Sequence, residues 1–194
     1  MDLRQRILEA AAKVYAEVGY RGATTRRIAA EAGCNELTLF RHFGSKSTLI
    51  HEAVCSCGPD ATPYPLPENP VDPYAEVMAW GKLHFDNMRE HQSLIRTTIG
   101  EIEEHPELVS PSDPYCLAYE QLATYIARLQ AAGNAEPGLD PLCAAATFLN
   151  TIMMNAIMRD VMPKMITHPP EHDLDQFVRH LLRGIGAAAP AARA

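Results

Sequence analysis

The sequence predicts an all-α protein of about nine helices: a small three-helix N-terminal head, then a larger helical body. Apolar residues recur at i, i+3, i+4 spacing through most of the chain, the period of a helix with one buried face. Capping residues precede these runs and Gly or Pro follows them, so start and stop signals bracket each helix. No stretch alternates convincingly with the period of two that a half-buried strand requires, and no internal repeat is visible. With 194 residues, 47% of them apolar and 21% charged, the chain is long enough for one substantial core or two modest ones.

Asp2 caps the first helix, with Gln5 three residues on as in a capping box. Ile7, Leu8, Ala11, Val14, Tyr15 and Val18 make its buried stripe, and Gly19 ends it. Thr24 or Thr25 caps a second, short helix whose apolar side is Ile28, Ala29 and Ala32. Gly33 supplies the left-handed conformation that closes it, and Cys34 follows into the turn. Asn35 caps the third helix, on which Leu39 and Phe43 form an inward i, i+4 pair. Small alanines facing a short helix across a tight turn are the helix-turn-helix pattern, and the first helix completes the three-helix head by packing across its back. Gly44-Ser45 opens a fourth helix with Leu49, Ile50, Ala53 and Val54 inward.

Residues 57–71 carry five prolines and no helical period, a linker or irregular loop. Asp72-Pro73 then starts a helix to about Arg89, lined by Val77, Trp80, Gly81, His84, Phe85 and Met88. A further helix spans about 92–104, bounded by Pro106; another spans 115–132, with Leu117, Leu122, Tyr125, Ile126 and Leu129 apolar. Asp140-Pro141 starts the most apolar run, Leu142 to Met162, which reads as a helix buried on more than one side. Asp173 or Asp175 begins the last helix, and residues 188–194 form an alanine-rich, frayed tail. The expected domains are therefore 1–46 (head), 47–56 (connecting helix), 57–71 (Pro-rich loop) and 72–187 (body).

Rotation of about 100° per residue turns Leu37, Phe40 and Arg41 outward on the third helix, with Glu36 at the border and Thr38 and His42 on the flanks. Exposed leucine and phenylalanine suit a face that enters a major groove, where leucine packs on a thymine methyl and arginine reaches guanine or phosphate. Lys46, in the first turn of the next helix, is a further phosphate candidate.

Ile28-Ala29, Ala32-Gly33, Thr38-Leu39-Phe40-Arg41-His42-Phe43 and Ser45-Lys46, with the Gly19-Tyr20 turn before them, resemble the DNA-binding signature of the TetR family of transcriptional regulators. The resemblance is dense over roughly residues 4–54. It implies that Thr25 is a phosphate-contacting cap, that Arg26 reaches a base edge, and that Asn35, Glu36, Leu37 and Thr38 lie in or beside the base-reading segment. It also implies backbone contacts from His42 and Lys46. Two residues depart from the pattern: Phe40 stands where the family commonly has tyrosine, and Leu37 where a small residue is frequent. The resemblance further implies a repressor, homodimeric on an inverted-repeat operator, released by a small apolar or amphipathic effector. By the same resemblance the fourth helix joins head to body, and the last two long helices dimerise as a four-helix bundle, with Met153, Ile157, Phe177, Leu181, Leu182 and Ile185 as interface candidates. Trp80, His84, Phe85, Met88, Tyr119, Phe148, Met154, Asn155 and Met158 are candidates for an effector cavity. Taken singly, methionines and aromatics at helical spacing read as core; the cavity is implied by the resemblance alone.

Net charge is −7, but residues 1–51 hold eight Lys/Arg and five Asp/Glu, a net +3, and the remainder nine and nineteen, a net −10. A basic head on an acidic body orients the molecule on phosphate. The five cysteines are scattered without CxxC pairs and read as buried thiols; Cys55-Ser56-Cys57 has one intervening residue, not a usual zinc spacing. No secretory signal and no uninterrupted apolar stretch of spanning length is evident, so the expectation is a cytoplasmic protein with no membrane partner. A rival reading, a metal-dependent enzyme or sensor, uses the loop His168, Glu171, His172, Asp173 and Asp175. The absence of a phosphate loop, nucleophile elbow or paired carboxylates argues against an enzyme, and no cofactor is expected.

Overall fold

A computed structural model describes residues 2–57, 66–111 and 113–187. Among them are nine α-helices, one 3-10 turn and no strand. The described residues form two compact units, one within Met1–Asp60 and Glu90–Asp113, the other within Ala61–Arg89 and Pro114–Ala194.

The first unit contains α1 (Leu3–Gly22), α2 (Thr25–Ala32), α3 (Glu36–Phe43), α4 (Lys46–Ser56), α6 (Gln92–Glu101) and the 3-10 turn Pro106–Leu108. Asp2 caps α1 by accepting from the Arg4 amide, but the expected capping box is half made, because Gln5 reaches along the helix to Glu9 instead. The core runs through Ile7, Ala11 and Tyr15, Ile28 and Ala29, Leu39 and Phe43, and Leu49, Ile50 and Ala53, each from a different helix in turn. Leu94 of α6 and Leu108 complete it. Val18 and Val54, expected inward, are only partly buried at its edge.

Gly19 breaks α1 with φ 69° and ψ −179°, a backbone region essentially restricted to glycine; one further turn follows it. A Cβ there would stand 2.5 Å from Glu101 Oε1. The Glu101 carboxylate sits in that space because it accepts the Tyr20 amide, at 2.9 and 2.8 Å. Gly19→Ala is therefore expected to cost about 1–3 kcal/mol from backbone strain alone. Urea unfolding would read this, and an unchanged midpoint would mean that the turn relaxes without loss.

The second unit contains most of α5 (Pro73–Glu90), with α7 (Pro114–Ala131), α8 (Pro141–Met158) and α9 (Pro170–Gly184). Asp72 caps α5 through the Ala75 amide, and Val77, Trp80, Gly81, His84, Phe85 and Met88 form its buried face, as the periodicity predicts. Gly81 allows a close crossing, since a Cβ would lie 3.1 Å from Phe148 and 3.4 Å from Leu174. The Tyr125 hydroxyl donates to Glu76 at 2.5 Å, and burial, reinforced by that carboxylate, pushes the phenol pKa up. Asp175 binds both Tyr74 and Arg179; the guanidinium contact holds this carboxyl below its ordinary range.

Three helix limits differ from the sequence expectation. α6 stops at Glu101, not 104: acidic residues at a helix C-terminus oppose the dipole, and Pro106 disfavours helix in the residue before it. α8 stops at Met158, not Met162, and gives way to turns around Pro163, which has no amide to donate. α9 begins at Pro170 rather than at Asp173 or Asp175, because proline suits the first helical position. Among the described residues one helix, Pro141–Met158, is long and apolar enough by length and composition to cross a membrane, although Asn150, Thr151 and Asn155 interrupt its apolar run. It packs on α7 and α9 instead. Residues 58–65 of the Pro-rich loop and the tail 188–194 lie outside the described residues. In the remainder of that loop, Leu66 is buried and the Pro67 carbonyl accepts from Arg128.

Candidate nucleic-acid interface

Local chemistry builds the helix-turn-helix. Thr24, not Thr25, caps α2 by accepting from the Arg27 amide at 3.2 Å. Gly33, at φ 66° and ψ 38°, lets the Gly33 and Cys34 amides turn back onto the last carbonyls of α2. The Asn35 carboxamide oxygen then caps α3, accepting from the Thr38 amide at 2.8 Å and the Thr38 hydroxyl at 2.9 Å. Leu39 and Phe43 anchor α3 inward, at 0% and 5% exposure.

The opposite side of α3 presents Leu37 and Phe40, at 60% and 43% exposure, with Arg41 and His42 also exposed. Two large apolar side chains beside a guanidinium form a surface matched to thymine methyls and base or phosphate acceptors. Among the described residues, Arg4, Lys13, Arg21 and Arg27 are paired with Glu52, Glu31, Glu104 and Glu17, whereas Arg26 and Arg41 enter no ion pair. These two exposed cations can reach nucleic acid without first losing a protein partner.

The remaining DNA-contact candidates sit in internal bonds. Thr25 donates its hydroxyl to Glu36 at 2.7 Å, tying α2 to α3, while Asn35 and Thr38 make the cap. Lys46 is placed differently from the expectation of an outward phosphate contact. Its ammonium donates to the Tyr20 carbonyl and lies 4.2 Å from the Tyr20 ring centroid, and burial lowers its pKa. Glu101, which orders the turn before α2, was not legible as a contributor because it lies 81 residues from Tyr20.

In the second unit, Trp80, His84, Phe85, Met88 and Phe148 are buried core, with the Trp80 and His84 rings 4.1 Å apart. Tyr119 is half-buried and donates to Asn150 at 2.6 Å; Met158 is half-buried and Met154 is exposed. Asn155 spans Asp173 and Arg159, so it fastens the end of α8 to α9. An open apolar groove of about 560 Å³ lies between α8 and α9, lined in part by Cys143, Thr147, Phe148, Phe177, Leu181 and Ile185. Of the other interface candidates, Met153 is half-buried beside the Tyr115 hydroxyl. Ile157 and Leu182, at 2% and 0% exposure, belong to the chain's own core and leave no surface for a partner. In the loop of the rival reading, His168, His172 and Asp173 come together, but Asp173 also pairs with Arg159 at 2.7 Å, and Asp175 turns away to Arg179.

Known proteins agree with this geometry. Residues 7–53 match the model for bacterial regulatory proteins of the tetR family, and residues 77–186 match the C-terminal domain of AefR-like transcriptional repressors. The HTH-type transcriptional regulator YvkB of Bacillus subtilis is 25% identical over 185 residues, covering 94% of this chain and 97% of that protein. The HTH-type transcriptional repressor AcnR of Corynebacterium efficiens is 48% identical over 50 residues, 26% of this chain and 27% of that one. Among solved structures, the fatty acid degradation regulator FadR of Bacillus halodurans superposes with a TM-score of 0.74 at 18% identity, covering 95% of this chain and 97% of that one. SmeT, repressor of the Stenotrophomonas maltophilia multidrug efflux pump SmeDEF, does so with 0.73 at 20% identity, covering 97% and 94%. Matched over both its head and its body, the chain belongs to the TetR family of transcriptional regulators and is not an enzyme.

Proposed function

We propose that the protein is a homodimeric repressor that binds an inverted-repeat operator and is released by a small apolar or amphipathic effector. The observation that carries DNA readout is the outward face of α3, where Leu37, Phe40 and Arg41 stand exposed, together with the exposed Arg26 on α2, which enters no ion pair among the described residues. One short helix reads too few bases to stand out in a genome. Two heads on major-groove faces roughly 34 Å apart multiply the discrimination.

The apolar groove between α8 and α9, with Leu142 and Met154 exposed on α8 at 53% and 49%, supports a second copy as the partner on that side. Phe177 and Leu181 line the groove and are the interface residues this reading retains, whereas Ile185, at 2% exposure, is enclosed as Ile157 is. Repression is supported by the names of the relatives AcnR and SmeT. The effector is supported by family membership. Operator and effector would favour different separations of the two heads, so each lowers affinity for the other. Binding to chromosomal DNA puts the protein in the cytoplasm.

Selection of bound fragments from the host genome by the purified, ligand-free protein tests this reading. The expected result is an inverted repeat whose half-site centres lie about one helical turn, or a multiple of it, apart. Recovery of no specific fragment at low salt would overturn ligand-free repression.

A further inference from the structure

A second cluster in the first unit is independent of the DNA-contacting face. His51 and Cys55 stand one turn apart on α4, and Asp113 reaches them from the segment after the 3-10 turn. His51 Nε2 is 3.0 Å from Asp113 Oδ1 and 3.4 Å from Cys55 Sγ, and Cys55 Sγ is 3.1 Å from the same Oδ1. The side chains of His51 and Asp113 are 27% and 11% exposed, so the cluster is sheltered yet reachable. The other Asp113 oxygen accepts the Ser110 amide at 2.7 Å, which aims Oδ1 at the other two donors.

From this triangle we infer a binding site for one divalent transition-metal ion, Zn²⁺ by preference, held by His51 Nε2, Cys55 Sγ and Asp113 Oδ1. Nitrogen, sulfur and oxygen ligands at about 2.0–2.3 Å from a tetrahedral centre stand roughly 3.3–3.6 Å from one another. The observed separations need to widen by only a few tenths of an ångström. Imidazole with thiolate selects Zn²⁺ and its neighbours over Mg²⁺ or Ca²⁺, which prefer all-oxygen sets. Three protein ligands leave a fourth position for water, the pattern of an open rather than a purely structural site.

In the metal-free cluster the thiol proton and, in the Nε2–H tautomer, a ring proton point at the carboxylate. The ion takes the place of both: the thiol proton leaves to solvent, and the single ring proton moves through solvent from Nε2 to Nδ1, so that the imidazole binds neutral through Nε2. The bonds made are three metal–ligand bonds, with no change of oxidation state. Because α4 also packs on α1 and α3, an ion tying it to Asp113 would restrain the helix behind the recognition helix.

Titration of the full-length protein with Co²⁺, followed by Zn²⁺ competition, tests the site. One Co²⁺ per chain should produce a thiolate-to-cobalt charge-transfer band in the near ultraviolet, and Zn²⁺ should abolish it. Cys55→Ser should lose the band, and His51→Ala should weaken binding by about 100-fold or more, given that even outer-shell changes cost 10–100-fold. Helical circular dichroism of each variant would confirm that it folds. His168→Ala/His172→Ala should bind as the wild type does. The inference is overturned if the wild type gives no such band at stoichiometric cobalt. It is equally overturned if the band survives Cys55→Ser, or if the His168/His172 pair is what removes it.

Discussion

Arg41→Ala is expected to weaken operator binding by about 1–3 kcal/mol in each half-site, on the order of a thousandfold in affinity across a two-headed complex. Arg41 is exposed on the same outward face of α3 as Leu37 and Phe40 and has no ion pair among the described residues. Removing it should therefore leave the urea midpoint unchanged while stripping a contact that serves only DNA. Arg27→Ala is the matched control, since Arg27 is also exposed but engaged with Glu17 at 3.4 Å. Fluorescence anisotropy with the selected operator would compare them. Full affinity in Arg41→Ala would mean that α3 does not present this face to the groove.

The second large effect is acid sensitivity from one buried imidazole. His84 is 5% exposed beside Trp80, and burial pushes its pKa down from the ordinary 6.5 to about 4. Between those values the unfolded chain takes up a proton that the folded chain refuses. Stability from this group is therefore complete above about pH 6.5 and falls as pH drops toward 4, by about 3 kcal/mol in all. His84→Leu, similar in bulk and unable to titrate, should flatten that part of the curve. Urea unfolding of both proteins near pH 7 and near pH 4 reads the difference directly. Equal losses in the two would acquit His84.

What was legible in the sequence was local. The caps Thr24 and Asn35, the Gly33 turn and the Leu39/Phe43 pair all act within a few residues, so α2, α3 and the outward face could be derived from spacing. The buried face of α5 was equally readable, because its period is regular from Val77 to Met88. What was not legible depends on partners far along the chain. Nothing near Lys46 announces that Tyr20 will take its ammonium, and nothing near Cys55 announces Asp113, 58 residues away. The same limit affects the body. Ile157 and Phe177 look alike on a helical wheel, yet the first is enclosed and the second lines an open groove, a difference set by how α8 and α9 meet.

The ion pairs of the head also bear on how the protein searches DNA. Arg4, Lys13, Arg21 and Arg27 are each matched to a glutamate of the same unit, so four of the eight Lys/Arg of residues 1–51 must leave a protein partner before they displace the cations condensed along a duplex. Each phosphate neutralised steepens the log–log dependence of affinity on salt by about 0.9. Phosphate contacts made by those four would carry that added cost, so the salt response is expected to be shallower than eight cations alone would give. Discrimination between sequences would then rest more heavily on the fit of Leu37, Phe40 and Arg41 to the bases.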